Sequence, residues 1–230
     1  QERCLRSKNI VLEIRQNKSL SKAIIDRLFD FLVRSSTIYD DIPEIDQALM
    51  RLSSSEMEQA VKEIDLPEEV GEFTDTLSQS FERVEQEEEG RITINKLVAK
   101  LTAAQKIALA MKGNKEARTL LLRDPNKVVA AAAIRNPKIT EQEILSTAQS
   151  KSISDEVIRI IATNNEMSRP YNVKHALVFN PKTPIPISMR WLTLIRENDL
   201  KLLSTSKGVP AALKNQAKRL LSKKKLKNRR

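Results

Sequence analysis

Apolar residues recur at intervals of three and four along most of the chain, which is the spacing of an amphipathic helix. The first 35 residues contain two such apolar sets: Ile10, Val11 and Ile14, then Ile24, Ile25, Leu28, Phe29 and Leu32. These sets predict two helices within residues 5–35, and Pro43, which suits a first helical turn, with a capping signal at Ser55 predicts two more within residues 43–64. The pattern therefore indicates an all-α protein.

Residues that favour helix starts predict where further helices begin. Ser55 with Glu58, Thr102 with Gln105 and Thr140 with Glu143 match the capping box, in which the two side chains satisfy free N–H groups at the helix start. Asp124 before Pro125, and Ser154, are also suited to begin helices. Together these signals predict helices at residues 103–112, 115–123, 125–135, 140–149, 154–164, 169–179, 185–194, 197–205 and 210–222.

A five-residue phrase occurs five times between these helices. Its copies begin at Asn17, Asn136, Ser150, Asn180 and Ser206 and read NKSLS, NPKIT, SKSIS, NPKTP and SKGVP. Asn, Gly and Pro end one helix, the apolar residue anchors the turn, and Ser, Thr or Pro begins the next helix. A recurring helix–turn–helix boundary is typical of an α-solenoid of short stacked helices. The alternative is that a helical protein reuses similar turns.

The spacing of the phrases favours the solenoid. Ser150 and Asn180 are 30 residues apart (180 − 150), and Asn180 and Ser206 are 26 apart (206 − 180), each about one short helical pair. Asn136 and Ser150 are 14 apart (150 − 136), about half a pair. The copy at Asn17 lies far upstream and suggests a smaller, diverged helical region before the main array.

Two stretches resemble bacterial helical-repeat proteins related to HEAT repeats and to the leucine-rich-repeat variant. They are residues 113–140, including LRDPNKVV and IRNPKIT, and residues 173–184, VKHALVFNPKTP. The resemblance covers about residues 97–222. It implies stacked short helices and carries no assigned reaction. The founding type of the repeat variant has a cysteine cluster for an iron–sulfur centre, and the single Cys4 does not match that cofactor.

Charge divides the chain unevenly. Residues 1–65 carry 10 Lys/Arg and 12 Asp/Glu, residues 66–96 carry 3 and 9, and residues 97–230 carry 27 and 9, which sum to the net charge of +10. We therefore predict an N-terminal helical region at 1–65, an acidic linker at 66–91, a helical-repeat domain at 92–222 and a basic disordered tail at 223–230. Phe73, Leu77, Phe81 and Val84 keep a helical spacing, so a docked amphipathic helix is the alternative for the linker.

Composition narrows the class of protein. Aromatic residues make up 3% of the chain and the only cysteine is Cys4, so the sequence predicts no disulfide and no cysteine-based zinc site. No apolar run approaches the ~20 residues of a membrane span. We therefore expect a cytoplasmic location.

Candidate catalytic residues are few. His175 is the only histidine, and no motif for a nucleophile elbow or a phosphate loop is present. A lone histidine in an apolar stretch is more often a packed or surface residue than a base, and Trp191 is more often a core residue than a ligand platform. The sequence predicts a protein that is not an enzyme and that has no cofactor, no bound metal and no small-molecule substrate.

The basic half of the chain suggests a binding function. Lysines recur at comparable places in successive turns and arginines enlarge the positive field, giving a candidate basic face of Lys138, Lys151, Lys182, Lys207, Arg118, Arg123, Arg135, Arg169 and Lys174. Such a field attracts acidic protein, nucleic acid or anionic lipid. The simpler explanation is that these cations suit helix C-termini and solubility.

The first functional hypothesis is an interaction or scaffold module whose basic face docks an acidic protein partner, with the acidic linker as an internal competitor. The alternative is a nucleic-acid-binding protein that contacts phosphates, because aromatic residues are too few for base stacking. A third hypothesis is an accessory contact between residues 223–230 and an anionic membrane surface.

Overall fold

The computed structural model describes residues 7–17, 19–39, 42–74 and 95–227. These residues are folded mainly as helices and contain no β-strand; one isolated antiparallel bridge joins Thr74 and Gly113. The predicted all-α class is thus confirmed for this part of the chain. The contacts divide the chain into two compact units, Gln1–Pro137 and Lys138–Arg230.

The N-terminal unit begins with four helices that match the predicted regions. They are α1 (Lys8–Gln16), α2 (Lys22–Arg34), α3 (Pro43–Arg51) and α4 (Ser54–Ala60). The main contact among them is between α2 and α3. Phe29, Leu32 and Val33 of α2 are fully buried, or nearly so, because they fall on one face of the helix. This burial stabilises a pair of helices that would be marginal alone.

The capping box of α4 lies two residues earlier than predicted. Ser53 is the N-cap: its N–H donates to Glu56 Oε2 at 2.9 Å, and the N–H of Glu56 donates to Ser53 Oγ at 3.3 Å. Three consecutive serines offered a choice of start, and burial of Met57 and Ala60 fixes it. Hydrogen bonds from Ser53 lower the pKa of Glu56, so the cap is retained above the usual carboxyl range and weakens as the pH falls through it.

The start of the predicted acidic linker packs within this unit. Glu68–Phe73 forms a 3-10 helix, Val70 is buried, and the carbonyl of Phe73 accepts the N–H of Asn114 at 2.7 Å. Gly113 sits at this contact, where a Cβ would lie 2.4 Å from the carbonyl oxygen of Leu109. Residues 75–91 of the predicted linker, with the helix alternative at Leu77, Phe81 and Val84, lie outside the described residues.

The second half of the N-terminal unit contains α5 (Ala103–Lys112), α6 (Lys115–Leu121) and α7 (Lys127–Ile134), after a helical segment at residues 95–100. The predicted Thr102–Gln105 capping box is confirmed. Every residue of α7 from Val128 to Ile134 is buried, and α7 packs against α5. Its small alanines allow the two backbones to approach closely.

The predicted start of α7 is wrong by two residues. Asn126, not Asp124, is the N-cap, and its Oδ1 accepts the N–H of Val128 at 2.9 Å. Asp124 instead accepts the N–H of Asn126 at 2.8 Å and forms an ion pair with Lys106 at 3.1 Å. The carboxylate therefore braces the turn that leads into the helix.

The C-terminal unit contains six α-helices among the described residues. They are α8 (Glu141–Gln149), α9 (Asp155–Thr163), α10 (Tyr171–Phe179), α11 (Ile185–Trp191), α12 (Glu197–Thr205) and α13 (Ala211–Lys227), with a 3-10 helix at Leu192–Leu194. Thr140 and Ser154 are N-caps of α8 and α9, as predicted. Trp191 is 4% exposed and belongs to the core. The last helix continues through Lys227, five residues beyond its predicted end at 222 (227 − 222).

Candidate functional site

Two arginines of the predicted basic face donate hydrogen bonds to backbone carbonyls of the N-terminal unit itself. Arg118 is 4% exposed and donates from Nη1 to the carbonyl of Gly113 at 3.0 Å, at the C-terminus of α5. Arg135 is half-buried and donates to the carbonyls of Met50 at 2.9 Å and Leu52 at 3.0 Å, at the end of α3. Both guanidinium groups satisfy helix C-terminal carbonyls. They are therefore structural residues, and only Arg123 of the predicted set is exposed in this unit.

The predicted basic residues of the C-terminal unit fall into two groups. Lys138, Lys151, Lys207 and Arg169 are exposed. Lys174 and Lys182 are half-buried and donate to backbone carbonyls, Lys174 to Arg169 at 3.0 Å and Lys182 to Ile153 at 2.5 Å. Lys182 Nζ also lies 3.6 Å from Asp155 Oδ1.

Three of the five-residue phrases meet within the C-terminal unit. The side chain of Asn180 is 5% exposed and donates from Nδ2 to the carbonyls of Ala148 at 2.8 Å and Ser150 at 3.1 Å. Lys182 reaches from the same turn to Ile153. A Cβ built on Gly208 would lie 3.8 Å from Lys151 Nζ, so the turn after α12 adjoins the turn after α8.

These contacts bring the turns at residues 150–154, 180–184 and 206–210 to one edge of the unit. We call Lys151, Lys182 and Lys207 on this edge the lysine edge. The apolar positions of two of its turns are buried, Ile153 at 3% exposure and Val209 at 5%, so the turns are anchored in the core. Ile185, the residue directly after the turn at 180–184, is an exposed apolar side chain at 44% exposure.

The phrase itself is a side-chain turn. In three copies the first residue accepts the N–H two positions later: Asn17 from Ser19 at 2.9 Å, Ser150 from Ser152 at 3.4 Å and Asn180 from Lys182 at 3.0 Å. This is the local bond that Asn and Ser side chains make in turns. Asn136, in a fourth copy, is 1% exposed and donates to the carbonyls of Ala110 and Met111 at the end of α5.

A cluster around His175 joins α10 to α12. His175 Nε2 lies 3.7 Å from Asp199 Oδ1, and the hydroxyl of Tyr171 donates a short hydrogen bond to Asp199 Oδ2. The guanidinium of Arg196 lies 4.4 Å from the centre of the Tyr171 ring, and the backbone N–H of Arg196 donates to the tyrosine oxygen at 3.1 Å. Sequence reasoning considered His175 alone; the spacing of Tyr171 and His175, one helical turn apart, was the available signal.

The contacts of this cluster are structural: they join α10 to α12, and we call the cluster the clasp. Burial and the bond to Asp199 raise the pKa of Tyr171, so the phenol keeps its proton and remains a donor. The His175 ring stacks on Phe179 at 4.6 Å between centroids. One oxygen of the Asp199 carboxylate accepts the hydrogen bond from Tyr171, and the other lies near the imidazole of His175. These contacts connect the N-terminal turns of α10 and α12.

Tyr171→Phe tests the clasp. It removes the hydrogen bond to Asp199 and the acceptor for Arg196, so we expect the free energy of unfolding to fall by about 1–2 kcal/mol. Because the folded state raises the tyrosine pKa, the parent should lose stability as the pH rises above about 10. Urea titrations at neutral and alkaline pH should show a smaller alkaline loss in Tyr171→Phe. Equal curves for both proteins would exclude the clasp.

The described residues contain no group of three or more His, Cys, Asp or Glu side chains arranged to hold a metal ion. In the same part of the chain, no helix combines the length and apolar character needed to cross a membrane. Comparison with family models, curated proteins and solved structures found no match to this chain.

Proposed function

We propose that the chain is a non-enzymatic helical-repeat module that docks an acidic protein segment on the lysine edge. The observation that supports this is the meeting of three turns, from different parts of the sequence, that bring Lys151, Lys182 and Lys207 to one edge. Concentrated positive charge on an edge speeds the encounter with an acidic partner.

The repeat interpretation is supported by two groups of helices with the same internal order. In the N-terminal unit α5 packs on α7, and Asn136 after α7 donates to the end of α5. In the C-terminal unit α8 packs on α10, and Asn180 after α10 donates to the end of α8. The two asparagines are 44 residues apart (180 − 136). This spacing between equivalent asparagines, with the resemblance to HEAT-like and leucine-rich-repeat-variant-like proteins, supports the repeat interpretation.

A protein segment suits the lysine edge because the edge offers an apolar contact as well as charge. Ile185 is 44% exposed next to the turn at 180–184, and an exposed apolar side chain among polar ones can anchor a protein interface. Lys182 is held in place by the Ile153 carbonyl, so Lys151 and Lys207 are the cations free to follow a partner. The expected ligand is an acidic segment with an apolar residue.

The test is the double substitution Lys151→Glu with Lys207→Glu, measured by fluorescence anisotropy with a labelled peptide of glutamate and leucine. Both side chains are exposed, so folding should be unchanged. Reversing two charges should weaken binding roughly tenfold or more at low salt, and the difference should shrink as salt screens it over ~8 Å at physiological strength. Ile185→Ser should weaken binding without changing its salt dependence.

The matched control is Lys8→Glu with Lys22→Glu, which makes the same charge change at exposed positions of the N-terminal unit. It should leave affinity nearly unchanged. If both doubles weaken binding equally, net charge and not the lysine edge determines affinity, and the proposal is wrong.

A further inference from the structure

Among the described helices, α13 has the largest excess of positive over negative side chains. Its 17 residues include seven Lys or Arg and no Asp or Glu. Leu213 and Ala217 are buried at 1% and 0% exposure, and α13 packs against α12 through this inner side. The helix is therefore fixed to the C-terminal unit by its first half.

The opposite side of α13 carries Lys218, Arg219, Ser222 and Lys223, all exposed, which we call the α13 outer face. The same four residues help to line a shallow depression on the surface. At 100° per residue the three cations lie within about 140° of one another, and Lys218 and Lys223 are about 7.5 Å apart along the axis. They present charge to one side of the helix.

Repulsion between the positive side chains of α13 destabilises the helix when no anion is bound. Lys214 and Lys218, and Arg219 and Lys223, are like charges at i and i+4, a spacing that destabilises a helix. A bound polyanion would remove that repulsion and would release counterions on binding. The charge distribution therefore favours the anion-bound form of α13.

The outer face also lacks what other partners need. Where the structure describes side chains of α13, up to residue 224, its exposed positions are Ala, Asn, Ser, Lys and Arg. A protein interface normally has a buried aromatic or aliphatic anchor, and an interfacial helix needs an apolar side to enter lipid. The large apolar side chains that are exposed in the described part of this unit, Ile185, Leu194 and Leu202, belong to other elements, and Leu220, which also lines the depression, is half-buried.

We propose that the α13 outer face binds the phosphodiester backbone of a nucleic acid without reading its bases. Lys218, Arg219 and Lys223 donate to phosphate oxygens, whereas the hydroxyl of Ser222 donates to the carbonyl of Lys218 at 3.1 Å. Contacts of this kind position a nucleic acid but carry no sequence information. The site is separate from the lysine edge and does not depend on the function proposed for that edge.

The experiment uses the full chain and a fluorescein-labelled DNA duplex of arbitrary sequence, titrated over a series of salt concentrations. The variant is Lys218→Gln with Arg219→Gln and Lys223→Gln, because Gln matches Lys and Arg in helix propensity and leaves α13 helical. Each lost phosphate contact should lower the slope of log affinity against log salt by about 0.9, so the slope should fall by about 2–3. Affinity at low salt should fall at least tenfold.

Two controls make the result decisive. Lys8→Gln with Lys22→Gln and Arg27→Gln removes the same number of exposed charges from α1 and α2 and should keep the slope of the parent. Lys218→Arg with Lys223→Arg preserves the charges and should bind as tightly as the parent. An unchanged slope in the glutamine variant would overturn the proposal.

A competition arm separates nucleic acid from acidic protein. Polyglutamate, added at equal charge concentration, should displace the duplex poorly, because glutamate side chains do not reproduce the spacing of a phosphate backbone. Equal displacement would assign the α13 outer face to acidic protein and end the nucleic-acid proposal. The lysine-edge double variant should bind the duplex like the parent, so failure of one proposal leaves the other standing.

Discussion

Ile158→Asp should destabilise the C-terminal unit by at least ~3 kcal/mol, because the new carboxylate would lie in a fully buried position of α9 without a partner. Such a loss is a large part of the 5–15 kcal/mol that typically separates folded from unfolded domains. Urea denaturation followed by circular dichroism measures it. The loss should be smaller in mild acid, where the buried carboxyl group becomes neutral.

The matched control is Ile160→Asp, two residues further along the same helix and half-buried. Its carboxylate can reach water, so its loss of stability should be clearly smaller than that of Ile158→Asp. Ile139→Asp, in the turn before α8, should also destabilise the protein less than Ile158→Asp, because the Ile139 side chain is likewise half-buried. Equal denaturation midpoints for Ile158→Asp and the parent would show that α9 does not pack as described.

Helix starts were predictable where the side chain of the N-cap residue accepts a hydrogen bond from the backbone N–H three positions later. Thr102, Thr140 and Ser154 are N-caps as predicted, because capping is a local bond that a short sequence window contains. The starts at Ser53 and Asn126 were missed, since another residue that can cap lies two positions away from each, at Ser55 and Asp124. Burial of Met57 and Val128 chooses between the candidates, and burial depends on the rest of the fold.

The candidate site was harder to predict because a basic residue in a turn has two uses. The sequence left open whether these cations form a binding face or bond to helix C-termini, and the structure shows which of them bond to backbone carbonyls and which are exposed. Arg135 contacts carbonyls more than 80 residues earlier in the chain, at Met50 and Leu52, and no local pattern reveals such a partner. Lys151 and Lys207 have no comparable signal that separates them from Arg135; only their exposure does.

The same limit applies to His175. Its neighbour Tyr171 lies one helical turn away and could have been paired with it, whereas Asp199 comes from another helix. The aromatic spacing was readable, but the carboxylate that gives the cluster its chemistry required the fold. The solenoid interpretation likewise depended on turn phrases whose long-range bonds, made by Asn136 and Asn180, are visible only in three dimensions.

Asn180→Ala is expected to lower the free energy of unfolding by about 2–3 kcal/mol. The amide group is 5% exposed and its Nδ2 bonds two carbonyls, those of Ala148 and Ser150, at the C-terminal end of α8. Alanine removes the donor to the Ala148 carbonyl, a buried bond, and to the Ser150 carbonyl, a part-buried one, which is more unfavourable than losing an exposed hydrogen bond. The alanine also ends the local turn bond to the N–H of Lys182, which holds the lysine edge.

The control for this substitution is Asn172→Ala, an exposed position on α10, where alanine should leave stability unchanged or raise it slightly through helix propensity. Asn136→Ala should match the loss of Asn180→Ala, because Asn136 donates to the carbonyls of Ala110 at 2.8 Å and Met111 at 2.9 Å in the same way. Urea titrations of all three variants measure the differences. If Asn180→Ala stays within about 0.5 kcal/mol of the parent, the buried amides do not hold the helix ends, and the common plan of the two helical groups loses its main physical support.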